Sequence, residues 1–155
     1  MKIIFLDFDG VIRIPVPTGG PNIEAEFCGD RMKRVANLTL ETGARIVISS
    51  DWRMRYDWAG IAALLEPNIP RGLMHRDWMT PTLTIAPDDS NLEIPPPRGA
   101  EIVTWLAQHP EVTEFAVFDD MQSKYFPLMK DRLVTCQLLD GFTEERRAYA
   151  HAILG

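Results

Sequence analysis

Cysteine is scarce in this chain. Cys28 and Cys136 lie far apart and form neither a CxxC pair nor a Cys/His cluster. They read as two free thiols, with Cys136, inside "LVTCQL", as a small core residue, and their spacing argues against a structural zinc site. Long apolar runs are missing too: no stretch approaches the roughly 18 residues that a membrane span needs. The opening run "KIIFLDF" is too short and too acidic for a secretory signal, so a cytosolic protein is expected. Positive charge is also in deficit. With 16 Lys and Arg against 22 Asp and Glu, the net charge is −6, which argues against holding nucleic acid by general electrostatics but leaves room for a local basic pocket. There are no repeats and no low-complexity tracts.

What is present fits one domain. The 155 residues, 46% apolar and 25% charged, are enough for a substantial core. Four segments read as buried strands: 2–8, 44–49, 114–118 and 132–138. Most are near-continuous apolar runs, as expected of parallel strands covered on both faces. Helices are predicted between them. One starts at Asp30 and stops at Gly43, with Met32, Val35 and Leu38 inward. A second spans about 56–65. A third spans about 99–109, with Ile102, Val103 and Leu106 on one face and Trp105 in or near the core. The last runs from about Thr143 to Leu154, with Glu144 and Glu145 in its first turn. This alternation predicts an α/β fold, a Rossmann-like parallel sheet flanked by helices, whose ligands lie at the carboxyl ends of the strands. Two stretches interrupt it. Residues 12–29 read as a flap loop or short hairpin. Residues 66–97 read as a Pro-rich insertion, with one strand near "LMHRDW" and the acidic pair Asp88-Asp89 in a surface loop.

Chemistry concentrates at the strand ends. Asp7 and Asp9 close the first strand, Ser49 and Ser50 the second, and Asp119 and Asp120 the third. A buried ionised carboxylate is costly unless it is paired or binds a metal. If these strands are parallel neighbours, the carboxylates converge, and an all-oxygen ligand set suits Mg²⁺. For Asp9 alone, a simple Asp-Gly turn is the competing reading. Trp52 and Arg53 offer stacking and phosphate contact beside the second strand, or else a helix-start packing residue and an internal ion pair. His75 and Arg76 are candidate substrate contacts, or else structural and surface residues.

Four motifs in order resemble the haloacid dehalogenase (HAD) superfamily of phosphotransferases. They are Asp7-Phe8-Asp9-Gly10-Val11 after an apolar strand, Ser49 in "RIVISS", Arg98 in "PPRGAEIVTWL", and Asp119-Asp120 after "EFAVF". Within that superfamily, Ser50, Trp52 and Arg53, together with Arg98 to Ile102, resemble the small HAD domains associated with Swiss-Army-knife RNA-repair proteins. The resemblance implies minimal caps and a Mg²⁺-dependent phosphatase acting through an aspartyl-phosphate. It makes Asp7 the nucleophile and Asp9 the general acid and base, with its backbone carbonyl on the metal. Ser49 would hydrogen-bond the phosphoryl oxygens and Arg98 would neutralise them, while Asp7, Asp9, Asp119 and Asp120 hold Mg²⁺. The family's third motif is more often Lys, and Arg is not its steric equivalent. Lys124 is therefore a possible helper, or else a surface lysine. Ser50, Arg53, His75 and Arg76 are the expected substrate contacts. The expected substrate is a phosphomonoester: a nucleotide, a nucleic-acid terminal phosphate, or another small phosphometabolite. The alternative from another class is a non-catalytic domain that binds a phosphorylated ligand.

Overall fold

The computed structural model describes residues 1–16, 24–83 and 97–155. Five strands form one parallel sheet: β1 (Lys2–Leu6), β4 (Arg45–Ile48), β5 (Met74–Met79), β6 (Glu114–Asp119) and β7 (Leu133–Thr135). Their order is β5-β4-β1-β6-β7. The chain therefore builds outward from β1 on one side, then crosses back to add β6 and β7 on the other. Such a reversal opens a crevice at the carboxyl ends of the two central strands, here β1 and β6.

Alternation along β1 decides which helices cover which face. Ile4 and Leu6 join Phe8 in a cluster with α1 (Gly29–Thr42), α2 (Trp58–Leu65) and α4 (Glu144–Leu154). Ile3 and Phe5 face the other way, onto Ile102 and Trp105 of α3 (Pro97–Ala107). Phe5 meets Trp105 edge to face at 5.4 Å, and complete burial of such a side chain contributes about 1.5–3 kcal/mol. Residues 3–6 thus read as one apolar run because both faces are core.

The helices fall close to their expected spans, with three local corrections. Cys28, not Asp30, stands at the N-cap of α1, and Asp30 lies in its first turn. Asp57 caps α2, accepting from the Gly60 amide at 2.8 Å. On α3 the inward face carries Arg98, Glu101, Ile102 and Trp105, whereas Val103 is exposed. A charged pair at i and i+3 belongs to the buried face, a pattern that hydropathy alone cannot detect. Gly43 ends α1 in the left-handed conformation (φ 68°), as a C-terminal glycine should. Both cysteines are free, and Cys136 is buried.

The stretch after β1 contains a hairpin, β2 (Arg13–Val16) antiparallel to β3 (Glu24–Phe27). Residues 66–83 are not a purely irregular excursion, because β5 within them is an edge strand of the main sheet. The tip of the flap and the segment holding Asp88, Asp89 and Pro95-Pro96 lie outside the described residues. No helix among the described residues is long and apolar enough to cross a membrane.

Candidate active site

Hydrogen bonds that continue the sheet ladder past its strands line up the polar residues. The Asp7 amide donates to the Phe118 carbonyl (3.0 Å), the Ser49 amide to Leu6 (3.1 Å) and the Cys136 amide to Asp119 (2.9 Å). Asp7, Ser49 and Asp119 therefore stand side by side along one edge. Carboxylate oxygens of Asp7, Asp119 and Asp120 all lie within 4.8 Å of one another.

Arg98, in the first turn of α3, enters this group from the neighbouring layer. Its Nη1 lies 3.2 Å from Asp7 Oδ1 and 3.3 Å from Asp119 Oδ2, and its Nη2 lies 3.1 Å from Asp51 Oδ1. Arg98, Asp7 and Asp119 are all buried, while Asp51 is exposed at the rim. Burial opposes the charge on Arg98, but Asp7, Tyr125, Asp119 and Asp51 outweigh it and hold the guanidinium firmly protonated. Burial raises the pKa of Asp7; Asp119 adds to the rise, while Arg98 and a hydrogen bond from Ser50 oppose it. Asp119 is also raised by burial, against the Tyr125 hydroxyl that donates to its Oδ2 and against Arg98. Asp120 is raised by burial and by Asp7. Burial and Asp119 keep Tyr125 a neutral phenol.

Burial is the main cause of the raised carboxylates, and mutual repulsion adds to it at Asp7 and Asp120. A divalent cation fits here on two grounds. The donors are hard oxygens, as Mg²⁺ prefers. The approach is also built for closeness: a Cβ on Gly10 would sit 2.6 Å from Asp120 Oδ2, and Gly10 has φ +72°. Only glycine lets the turn after Asp9 pass so near that carboxylate.

Ser49 is fully buried, and its hydroxyl has no hydrogen-bond partner among the described residues. An orphaned buried hydroxyl costs stability and is explained when a ligand supplies the partner. Asp9 projects outward. Its carboxylate is held by Arg13 Nη1 (2.7 Å) and by the indole N–H of Trp52 (2.9 Å), and it stands apart from the three clustered carboxylates. Lys124 is half-buried and near enough to counter the upward shifts of Asp119 and Asp120.

Three expected substrate contacts do not reach the site. Arg53 turns inward from the 3₁₀ turn Asp51–Met54. It donates to the carbonyls of Thr80 (3.0 Å), Ser49 and Ser50 (both 2.9 Å), and to Glu101 Oε2 (2.7 Å). With its donors spent on the protein, it braces the Ser49-Ser50 loop. His75 and Arg76 open β5, at the amino-terminal end of the sheet. His75 packs on Trp105 and His109 near the carboxyl end of α3, while Arg98 stands at that helix's other end. From Arg98 to Trp105, on which His75 packs, a rise of roughly 1.5 Å per residue amounts to about 10 Å along the helix. Sequence reasoning missed Tyr125 and Asp51. Asp51 was within reach, being the acid next to Ser50, but nothing in the pattern around Tyr125 marks it.

A family model, the HAD domain in Swiss Army Knife RNA repair proteins, matches residues 3–146 and spans all four motifs. The chain belongs to this family. No curated protein and no solved structure matches it. For this HAD domain, membership supports a phosphatase-type function, and HAD domains usually use Mg²⁺. The acidic cluster between β1 and β6 is compatible with that metal.

Proposed function

We propose that this HAD domain is a Mg²⁺-dependent phosphomonoester hydrolase that works through an aspartyl-phosphate on Asp7. The observation carrying this reading is the buried Asp7 carboxylate, ion-paired to Arg98 and flanked by Asp119, Asp120 and the orphaned Ser49 hydroxyl. The Asp7 carboxylate attacks phosphorus, the P–O bond to the alcohol breaks, and the Asp9 carboxyl gives its proton to the departing oxygen. Water then attacks the phosphoryl group, Asp9 takes the water's proton, and inorganic phosphate leaves with Asp7 restored. Asp9 reaches the departing oxygen by rotating off Arg13 and Trp52. Ser49 donates to a phosphoryl oxygen, and Arg98 exchanges the exposed Asp51 for the phosphate. Asp7, Asp119, Asp120 and the Asp9 carbonyl would hold Mg²⁺, which supplies charge neutralisation to the transferring group.

The substrate class is a nucleotide or a nucleic-acid terminal phosphate. The family's association with RNA repair supports this, as does an aromatic rim beside Asp9. Trp52 stacks on Tyr56 (5.5 Å, 13°), and Arg13 lies 5.2 Å from the Trp52 ring centre. The exposed Tyr56 ring offers a base a surface to stack on. The test is phosphate release with and without Mg²⁺ from an aryl phosphate, nucleoside 5′- and 3′-monophosphates, and oligonucleotides bearing a terminal phosphate. Mg²⁺-dependent release, fastest from a nucleotide or an oligonucleotide end, is expected. A preference for the aryl phosphate over every nucleotide would overturn the substrate class. Tight phosphate-ester binding without any release would favour the non-catalytic reading.

A further inference from the structure

At the opposite end of the sheet, a second group of potential ligands has no part in the chemistry above. We infer that His75, His109 and Glu111 form a transition-metal site, with Zn²⁺ the natural occupant. One ligand atom from each of the three lies within 4.8 Å of the others. Both histidines are buried, at 5% and 7% exposure, and Glu111 is exposed at their rim. Two imidazoles and a carboxylate are a borderline-soft donor set, which selects Zn²⁺ and its neighbours over Mg²⁺.

The rings are held ready. His109 Nδ1 lies 2.8 Å from the Trp105 carbonyl, one turn back along α3. It donates there and leaves a lone pair on Nε2. The His109 ring also stacks on the Trp105 indole at 3.6 Å, which fixes its plane. The Asp77 amide donates to His75 Nδ1 (3.1 Å), and the Asp77 carbonyl lies 3.2 Å from the same nitrogen. A metal at Nε2 would draw the ring proton to Nδ1, where that carbonyl accepts it in place of the amide bond. Backbone carbonyls orienting the far nitrogen are the usual support for metal-binding histidines.

Asp77 Oδ2 lies 3.3 Å from His109 Nε2 but outside the group of three, so solvent would complete a tetrahedral shell. His75 and Glu111 border an open pocket together with Arg45 and Arg76, and Arg45 is turned to the Gly72 carbonyl. The two cysteines argued against a structural zinc site, and this group of two imidazoles and a carboxylate uses neither of them. The metal would tie the start of β5 to the turn after α3, the helix that carries Arg98 at its other end.

The experiment is metal retention and Co²⁺ absorption on the whole chain, in excess Mg²⁺ so that the acidic cluster is competed for. Wild type should retain one Zn²⁺ per chain after desalting. Its Co²⁺ form should show the intense visible bands of a low-coordinate, nitrogen-ligated ion. His109→Gln should lose both. Glu111→Gln, at an exposed position that leaves the fold untouched, should weaken Zn²⁺ by at least about tenfold, the scale of a disturbed coordination sphere. No retained metal in wild type, only the weak bands of all-oxygen six-coordinate Co²⁺, or unchanged affinity in Glu111→Gln would each overturn the assignment. Phosphate release bears on none of these readouts, so this site and the proposed phosphatase stand or fall separately.

Discussion

Replacing Arg53 separates a structural brace from a substrate contact. Its side chain is 1% exposed, and Glu101, its partner, is 8% exposed. In Arg53→Met the Glu101 carboxylate keeps only the Leu83 amide at 3.2 Å, and the Ser49, Ser50 and Thr80 carbonyls lose a donor. The Ser50 carbonyl still accepts from the residue 53 amide at 3.1 Å, so the backbone losses are partial. The stranded carboxylate dominates. Removing one partner of a buried pair costs about 3–5 kcal/mol, against a total stability of about 5–15 kcal/mol for a domain. At about 2–4 °C per kcal/mol for a chain of this size, the melting temperature should fall by about 6–20 °C. Arg53→Met combined with Glu101→Met should recover much of that loss, because no charge is left buried. Thermal and urea melts of the single and double variants, alongside KM for the best substrate, are the assay. A single variant that melts within about 1 kcal/mol of wild type and only raises KM would refute the brace and restore Arg53 as a phosphate contact.

Other consequences follow from the same geometry. Asp7, Asp119 and Asp120 all have raised pKa values, so their contribution is fully present below the unfolded carboxylate value of about 4 and is lost as pH rises through the folded values. Mg²⁺ should therefore stabilise the fold at neutral pH by about 2.7 kcal/mol at 100 times its Kd, and progressively less on acidification. Melts in EDTA and in Mg²⁺ across that range check it, and a Mg²⁺ increment that grows toward acid would contradict it. Gly10→Ala should cost about 1–2 kcal/mol for its left-handed backbone and, by displacing Asp120, raise the Mg²⁺ concentration needed for half-maximal stabilisation. Ser49→Ala removes a hydroxyl that has no partner among the described residues. Its melt should stay within about 1 kcal/mol of wild type while turnover falls about 10²–10³-fold, as for other lost transition-state donors.

The strands and their polar ends were legible because a strand buried on both faces leaves an unbroken apolar run. An acid or serine at its end then breaks the run where the sheet meets solvent. Asp7, Ser49, Asp119 and the helix-borne Arg98 all converge as their motif positions imply. What stayed hidden was direction. Arg53 follows Ser49 by four residues, but whether a side chain in that turn faces out or in depends on Glu101, contributed by a helix almost fifty residues away. His75 and Arg76 were expected beside the substrate. The register of β5, which is set by tertiary pairing with β4, puts them at its amino-terminal end. Tyr125 reaches Asp119 through a 3₁₀ turn with no periodic signature.

The most direct test of the central claim is acid-quench peptide mass spectrometry of the wild-type protein and Asp7→Asn during turnover of the best substrate in Mg²⁺. The account predicts a hydroxylamine-sensitive phosphoryl group on Asp7 in wild type, with neither that adduct nor phosphate release in Asp7→Asn. Sustained phosphate release by a folded Asp7→Asn protein would contradict it.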